Sequence, residues 1–205
     1  MKDKSILPVS FYDRDALEVA RVLLGMRLVR EQNGVRVSGI ITETEAYRGR
    51  EDLGCHAHAG KTRRNEVMFG PPGFAYVYFT YGMHWCLNFV TGSDGFPAAV
   101  LIRAVEPLEG LELIAERRVG RKRENWCNGP AKLTQAFGID GRQNGVSVCS
   151  RESGLFVEMG ELVREESILA TPRIGLNNVP EPWRSIKWRF TKRGSEKRFA
   201  NQPGY

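Results

Sequence analysis

The spacing of apolar positions changes several times along the chain, and each change marks an element. Behind Asp13, a suitable helix cap, Ala16, Leu17, Val19, Ala20, Leu23 and Leu24 recur at helical intervals until Gly25, which predicts a first helix. From Met26 to Arg30 the pattern alternates, Asn33-Gly34 supplies a tight turn, and the chain returns from Val35 as a second strand. That strand leads into Ile41 to Tyr47, where a period of two sets Ile41, Glu43, Glu45 and Tyr47 on one face. Arg48 to Asn65 is irregular and rich in Gly, His and charge, the pattern of an ordered loop. After the turn Pro71-Pro72-Gly73, two aromatic strands, Phe74 to Thr80 and Met83 to Val90, meet at Tyr81-Gly82. Ala98 to Val105 reads as a buried strand, Leu108 to Arg118 as an amphipathic helix, and Gly129-Pro130 opens a short helix that ends at Gly138. Strand fragments are expected around Leu155 to Val157, Arg173-Ile174 and Lys187 to Phe190.

Within this pattern a few polar residues stand where polarity is costly. Apolar neighbours on both sides imply that the strand end bearing Glu43 and Glu45 lies inside the protein, where a carboxylate without a task is expensive. Arg103 interrupts an apolar strand and needs an anion, for which Glu45 is a candidate. His56 follows the Glu45–Tyr47 strand closely and enters the same candidate site. Tyr81, at a hairpin tip, has little of its own chain to bury against; it either folds back on a neighbouring strand or enters a partner as a wedge. Register makes a further demand. A two-residue loop at Tyr81-Gly82 sets Asn88 on the face opposite Tyr78, so a common pocket requires an odd-length loop or a bulge.

Length and composition narrow the class. With 205 residues and 41% hydrophobic content, one core and a single domain are expected. No apolar run is long enough to span a bilayer and the first residues carry no signal-peptide core, so a soluble cytoplasmic protein without membrane association is expected. Cys55, Cys86, Cys127 and Cys149 are too dispersed for a zinc or redox motif, and His56 and His58 beside Cys55 lack further ligands, so no metal is expected. The net charge of +6 is concentrated in basic runs. One extends from Arg184 to Arg198, a second comprises Arg117, Arg118, Arg121, Lys122 and Arg123, and a third Lys61, Arg63 and Arg64. Interleaved with Trp126, Trp183, Trp188 and Phe190, they point to nucleic acid rather than to solvated faces alone. Lys132, in the first turn of the Gly129-Pro130 helix, occupies a plausible phosphate seat.

The blocks Glu43-Thr44-Glu45-Ala46-Tyr47, Glu51-Asp52 with His56, Tyr76-Val77-Tyr78 to Tyr81-Gly82-Met83, Asn88, Leu101-Ile102-Arg103-Ala104, Glu106-Pro107-Leu108-Glu109-Gly110 and Asn128-Gly129-Pro130-Ala131-Lys132-Leu133 occur in the order seen in one family. Over nearly its whole length the chain resembles the alkyladenine (3-methyladenine) DNA glycosylases. The resemblance implies an α+β domain with a curved antiparallel sheet, surrounding helices and a protruding hairpin that enters the minor groove of double-stranded DNA. It implies a monofunctional enzyme that removes damaged purines of the 3-methyladenine, 7-methylguanine and hypoxanthine class; no cofactor is expected, and a monomer is the default expectation. By position, Glu45 would be the general base and Arg103 would help order its water. Tyr47, His56 and Tyr78 would enclose the everted base, Asn88 would disfavour guanine, and Tyr81 would intercalate. Arg63, Arg64 and Lys132 would meet the DNA backbone. His84 and Trp85 depart from the aromatic pair of the mammalian members. Three rivals are a glycoside hydrolase built on Glu43 and Glu45, a non-catalytic binder of single-stranded or damaged DNA, and a lyase acting through Lys61 or Lys132.

Overall fold

The computed structural model describes residues 5–195. Glu196, Lys197 and Arg198 of the longest basic run therefore lie outside the described residues. Among the described residues, eight strands, antiparallel in every pairing, are joined in one sheet. They are β1 (Arg27–Gln32), β2 (Val35–Arg48), β3 (Ala75–Thr80), β4 (His84–Val90), β5 (Ala98–Glu109), β6 (Leu155–Glu158), β7 (Ile168–Thr171) and β8 (Arg189–Lys192). The main path runs β3-β4-β5-β2-β1-β6, with β8 against β2 and β7 against β8. The described helices are α1 (Val9–Tyr12), α2 (Ala16–Val22), α3 (Leu111–Arg117) and α4 (Pro130–Phe137). The architecture is the expected α+β class. No described helix is long and apolar enough to cross a membrane.

β2 holds the sheet together because it has a partner along all its length: β5 on one side, β1 and then β8 on the other. Alternation along the central strands separates two faces. Thr44 and Ala46 of β2, Val100 and Ile102 of β5, and Leu87 and Phe89 of β4 are buried, and all but Thr44 pack in the larger apolar core with α2 and α4. The Thr44 hydroxyl is spent on the Ala20 carbonyl of α2 at 2.7 Å. On α4, Leu133 and Phe137 stand one turn apart and are fully buried. Each contributes on the order of 1.5–3 kcal/mol. The opposite face carries Glu43, Glu45, Tyr76, Tyr78, Asn88 and Arg103, beneath the loop of residues 49–65 and over a smaller apolar cluster that includes Met68 and Ala99.

Several local expectations are corrected. Asp15, not Asp13, caps α2, its side chain accepting from the Leu17 N–H; Asp13 instead closes α1. Ile41 does not share a face with Glu43: Thr42 is an extra residue between the pairs Ile41↔Val105 and Glu43↔Ala104, which turns Ile41 into the large core. Arg103 is the matching extra residue on β5, between the pairs to Ala104 and Ile102. The predicted helix from Leu108 begins only at Leu111, because β5 continues through Glu109 and Gly110 (φ 69°) ends it. Arg173-Ile174 is not a strand; it follows β7 as a segment laid across the end of β2.

The hairpin meets the register demand. Tyr81 (φ 52°) and Gly82 (φ 67°) are the central residues of a turn closed by the Met83 N–H on the Thr80 carbonyl at 3.2 Å. Positive φ at both positions is the primed turn that suits twisted antiparallel strands. Met83 is the extra residue, so that Thr80 pairs with His84, Tyr78 with Cys86 and Tyr76 with Asn88. Tyr76, Tyr78 and Asn88 consequently share one face.

Candidate active site

A cavity of about 350 Å³ opens on the second face of the sheet. That lies within the roughly 300–1,000 Å³ usual for small-molecule sites. β2 contributes Glu43 and Tyr47 to its wall, the hairpin contributes Tyr76, Tyr78, Tyr81, Cys86 and Asn88, and β5 contributes Arg103. His56 comes from the loop after β2, Lys132 from α4, Ile174 to Leu176 from the segment after β7, and Arg189 from β8. Strand alternation explains the tyrosines, since Tyr76 and Tyr78 occupy successive same-face positions of β3.

Glu45 is fully buried and does not itself line the cavity. It lies immediately behind three groups that do. Its Oε2 accepts from the Tyr47 hydroxyl at 2.9 Å, its Oε1 accepts from the Ile174 amide at 2.7 Å, and Arg103 Nη1 stands 3.3 Å from Oε1. Arg103 Nε also donates to Glu43 Oε1 at 2.8 Å, and Arg189 Nη1 donates to the same oxygen at 3.0 Å. The expected partner of Arg103 is thus two carboxylates. Burial acts to lower the Arg103 pKa, but the charges of Glu45 and Glu43 prevail and raise it. Burial, and then the neighbouring Glu45, raise the Tyr47 pKa, so Tyr47 remains a phenol that donates to the carboxylate.

The aromatic wall is ordered by edge contacts. His56 meets Tyr78 edge-on with ring centroids 4.5 Å apart, and its Nδ1 lies 3.0 Å from the Tyr76 hydroxyl. Tyr76 and Tyr78 are tilted at 32° with centroids 5.3 Å apart. The Asn88 side chain donates to the Tyr76 carbonyl at 3.0 Å, which fixes its orientation. Arg64 lies over Tyr78 at 5.2 Å and donates to the Phe79 carbonyl at 3.0 Å. Arg63 is exposed on the same loop and is not among the lining residues. Lys132 reaches the cavity and donates to the Asn128 side chain at 3.2 Å. Tyr81 does not fold back on a neighbouring strand: it is 78% exposed, beside exposed Met83 and Phe79. Among the described residues no group of three or more His, Cys, Asp or Glu could hold a metal ion.

His56 stands at the open mouth, yet its ring is packed between tyrosines. This desolvation first, and the Arg64 charge second, lower its pKa from 6.5. With the folded-state pKa below the unfolded one, any stability contributed by His56 is present above about pH 6.5 and is lost as the pH falls through the lowered value. An NMR titration of the three histidines should therefore give His56 a midpoint below 6.5; a midpoint at or above that value would contradict the packing described.

Sequence patterning missed the group that caps Glu45. Arg173 and Asp52 form a fully buried ion pair, and the next amide, that of Ile174, binds Glu45. The available signal was Asp52-Leu53-Gly54, a side chain spaced to bond its own backbone two residues on, as Asp52 does with the Gly54 N–H at 2.9 Å.

Comparison with known proteins places the chain in a family. Residues 10–196 match the family described as Methylpurine-DNA glycosylase (MPG). A protein of Carboxydothermus hydrogenoformans, described as "Putative 3-methyladenine DNA glycosylase", is 54% identical over 172 residues, covering 84% of this chain and 89% of its own. Proteins with the same description from Methanocella arvoryzae and Clostridium acetobutylicum are 52% identical over 184 residues and 43% identical over 195. These alignments cover 87% and 91% of this chain, and 90% and 93% of the relatives. An aromatic cavity backed by a sealed carboxylate, together with a match over nearly the whole chain, leads to one conclusion: the protein belongs to the methylpurine-DNA glycosylase family.

Proposed function

We propose that the protein everts a damaged purine from double-stranded DNA into the cavity and hydrolyses its N-glycosidic bond, leaving an abasic site. The supporting observation is the position of Glu45, sealed behind Tyr47, Arg103 and Ile174, each of which lines the cavity. A carboxylate offers about four lone-pair sites. Two are taken by the Tyr47 hydroxyl and the Ile174 amide, and Arg103 pairs with the same carboxylate by charge, which leaves lone-pair capacity for a water. In the proposed step the water oxygen bonds to the anomeric carbon, its proton passes to Glu45, and the glycosidic electron pair leaves with the purine. Arg103 and the Ile174 amide keep the carboxylate aimed.

Substrate chemistry suits the wall. Eversion costs about a few kcal/mol, least for a damaged base. A purine alkylated at a ring nitrogen is cationic, and the faces of Tyr47, Tyr76 and Tyr78 favour it by about 0.5–2 kcal/mol. Such a base is also a good leaving group, so a positioned water and its base are the main requirements. Asn88 is the group proposed to disfavour guanine, and Arg64 and Lys132 are proposed to meet phosphates. The glycoside hydrolase reading is disfavoured because Glu43 and Glu45 are both bound to one guanidinium instead of flanking a bond.

The deciding experiment measures base release from duplexes carrying 3-methyladenine, 7-methylguanine or hypoxanthine. Release is expected with no adduct trapped by borohydride. Tight binding without release from any substrate would favour the damage-binding alternative. Tyr81 has a separate test. A bulky residue at positive φ is uncommon and costs about 1–3 kcal/mol, a strain typical of functional sites. If its ring replaces the everted base in the stack, Tyr81→Ser should weaken lesion-duplex affinity roughly 5- to 150-fold, matching the 1–3 kcal/mol of one stacked base. Unchanged affinity would remove the wedge from the mechanism.

A further inference from the structure

The buried pair behind the site has no part in the proposed chemistry, yet it connects the parts that do. Arg173 Nη1 donates to Asp52 Oδ2 at 2.5 Å and to the Ala46 carbonyl at 3.0 Å, while Nη2 donates to Asp52 Oδ1 at 2.7 Å and to the Trp183 carbonyl at 3.4 Å. Both charged side chains are wholly removed from solvent. The guanidinium lies 4.7 Å from the Tyr47 ring centroid and 5.1 Å from that of Trp188. Asp52 also accepts from the backbone N–H of Arg48 and of Gly54, at the start of the loop that carries His56. One bidentate pair therefore locks together the end of β2, the His56 loop and the segment after β7.

The geometry points to Arg173 and Asp52 as positioning residues for the proposed hydrolysis: by fixing the segment that bears the Ile174 amide, the pair aims the Glu45 carboxylate. This rests on the reading of Glu45 as the general base. The link is short. Arg173 precedes Ile174 in the chain, and its bond to the Ala46 carbonyl grips the residue between Glu45 and Tyr47. A fork suits the task because Nη1 and Nη2 bind both Asp52 oxygens in parallel while still reaching the Ala46 and Trp183 carbonyls, a planar two-point geometry that a single ammonium nitrogen cannot reproduce. Neither side chain lines the cavity. Their loss should spare recognition and impair the chemical step.

The experiment compares wild type, Arg173→Gln, Asp52→Asn and Glu45→Gln, at a temperature where circular dichroism shows each folded. It measures single-turnover release of 7-methylguanine and, separately, the affinity for a duplex bearing an uncleavable abasic analogue. Both positioning variants are expected to slow release roughly 10- to 100-fold, the scale of misaligned supporting groups, with affinity within about threefold of wild type. Asp52→Asn keeps the shape and one acceptor oxygen, so it decides the matter if Arg173→Gln does not fold. Wild-type rates in a folded variant, or rate and affinity falling together, would overturn the positioning role. If Glu45→Gln retains activity, the general-base reading fails instead, a result separable from the first because it appears in a different variant.

Discussion

Glu45→Gln is expected to slow base release about 10²- to 10⁴-fold, the usual worth of a positioned general base, while leaving affinity for a lesion duplex near wild type. Glutamine preserves the shape, and its amide oxygen can still accept from the Ile174 N–H. The Tyr47 hydroxyl, which donates to Oε2, can rotate to accept from the new amide. Folding should persist for these reasons. What disappears is the acceptor for the proton of the attacking water. Glu43→Gln is the informative comparison, because Glu43 lines the cavity but is held by Arg103 and Arg189. Its loss should reduce the rate less, through the disturbed guanidinium. Single-turnover kinetics on both variants settle the roles: if Glu43→Gln abolishes release and Glu45→Gln retains it, the assignment is reversed.

Arg103→Met should produce the largest loss of stability in the site, on top of a loss of activity. The Arg103 side chain is 11% exposed, and its guanidinium serves Glu43 and Glu45, whose side chains are 6% and 0% exposed. Methionine fills much of the volume but leaves two buried carboxylates on one strand face, with Arg189 alone as a cation at Glu43. Breaking a buried pair in this way costs about 3–5 kcal/mol. For a chain of this size each kcal/mol moves Tm by about 2–4 °C, so a decrease of roughly 6–20 °C is expected. Urea unfolding should show the midpoint falling with the slope retained. A variant as stable as wild type would mean that water already screens these charges.

Much of the site was legible because its parts obey local rules. Alternation sets Glu43, Glu45 and Tyr47 on one face of β2, and the demand that Tyr76, Tyr78 and Asn88 share a face required the extra residue found at Met83. Where local rules misled, a long-range contact had changed the count. Ile41 leaves the predicted face because Thr42 bulges opposite β5, and Leu108 and Glu109 stay extended because Glu109 pairs with Ser38 and is held by Arg36. Helical spacing in that stretch was outweighed by strand pairing.

The sequence by itself determined the helix before β1, the hairpins, the long central strands, α4, the single-face carboxylates and tyrosines, the condition that a shared pocket needs an odd hairpin, and the family, since each depends on neighbours a few residues apart or on blocks in series. Only the tertiary structure decided that Glu45 is sealed while Glu43 meets the cavity, that Arg103 bridges both, and that Arg173 and Asp52 hold the seal. The reason is separation along the chain. Ile174 caps a carboxylate 129 residues earlier, and Arg173 pairs with an acid 121 residues away; no periodicity encodes such meetings, which arise only when the β7–β8 ribbon folds against β2.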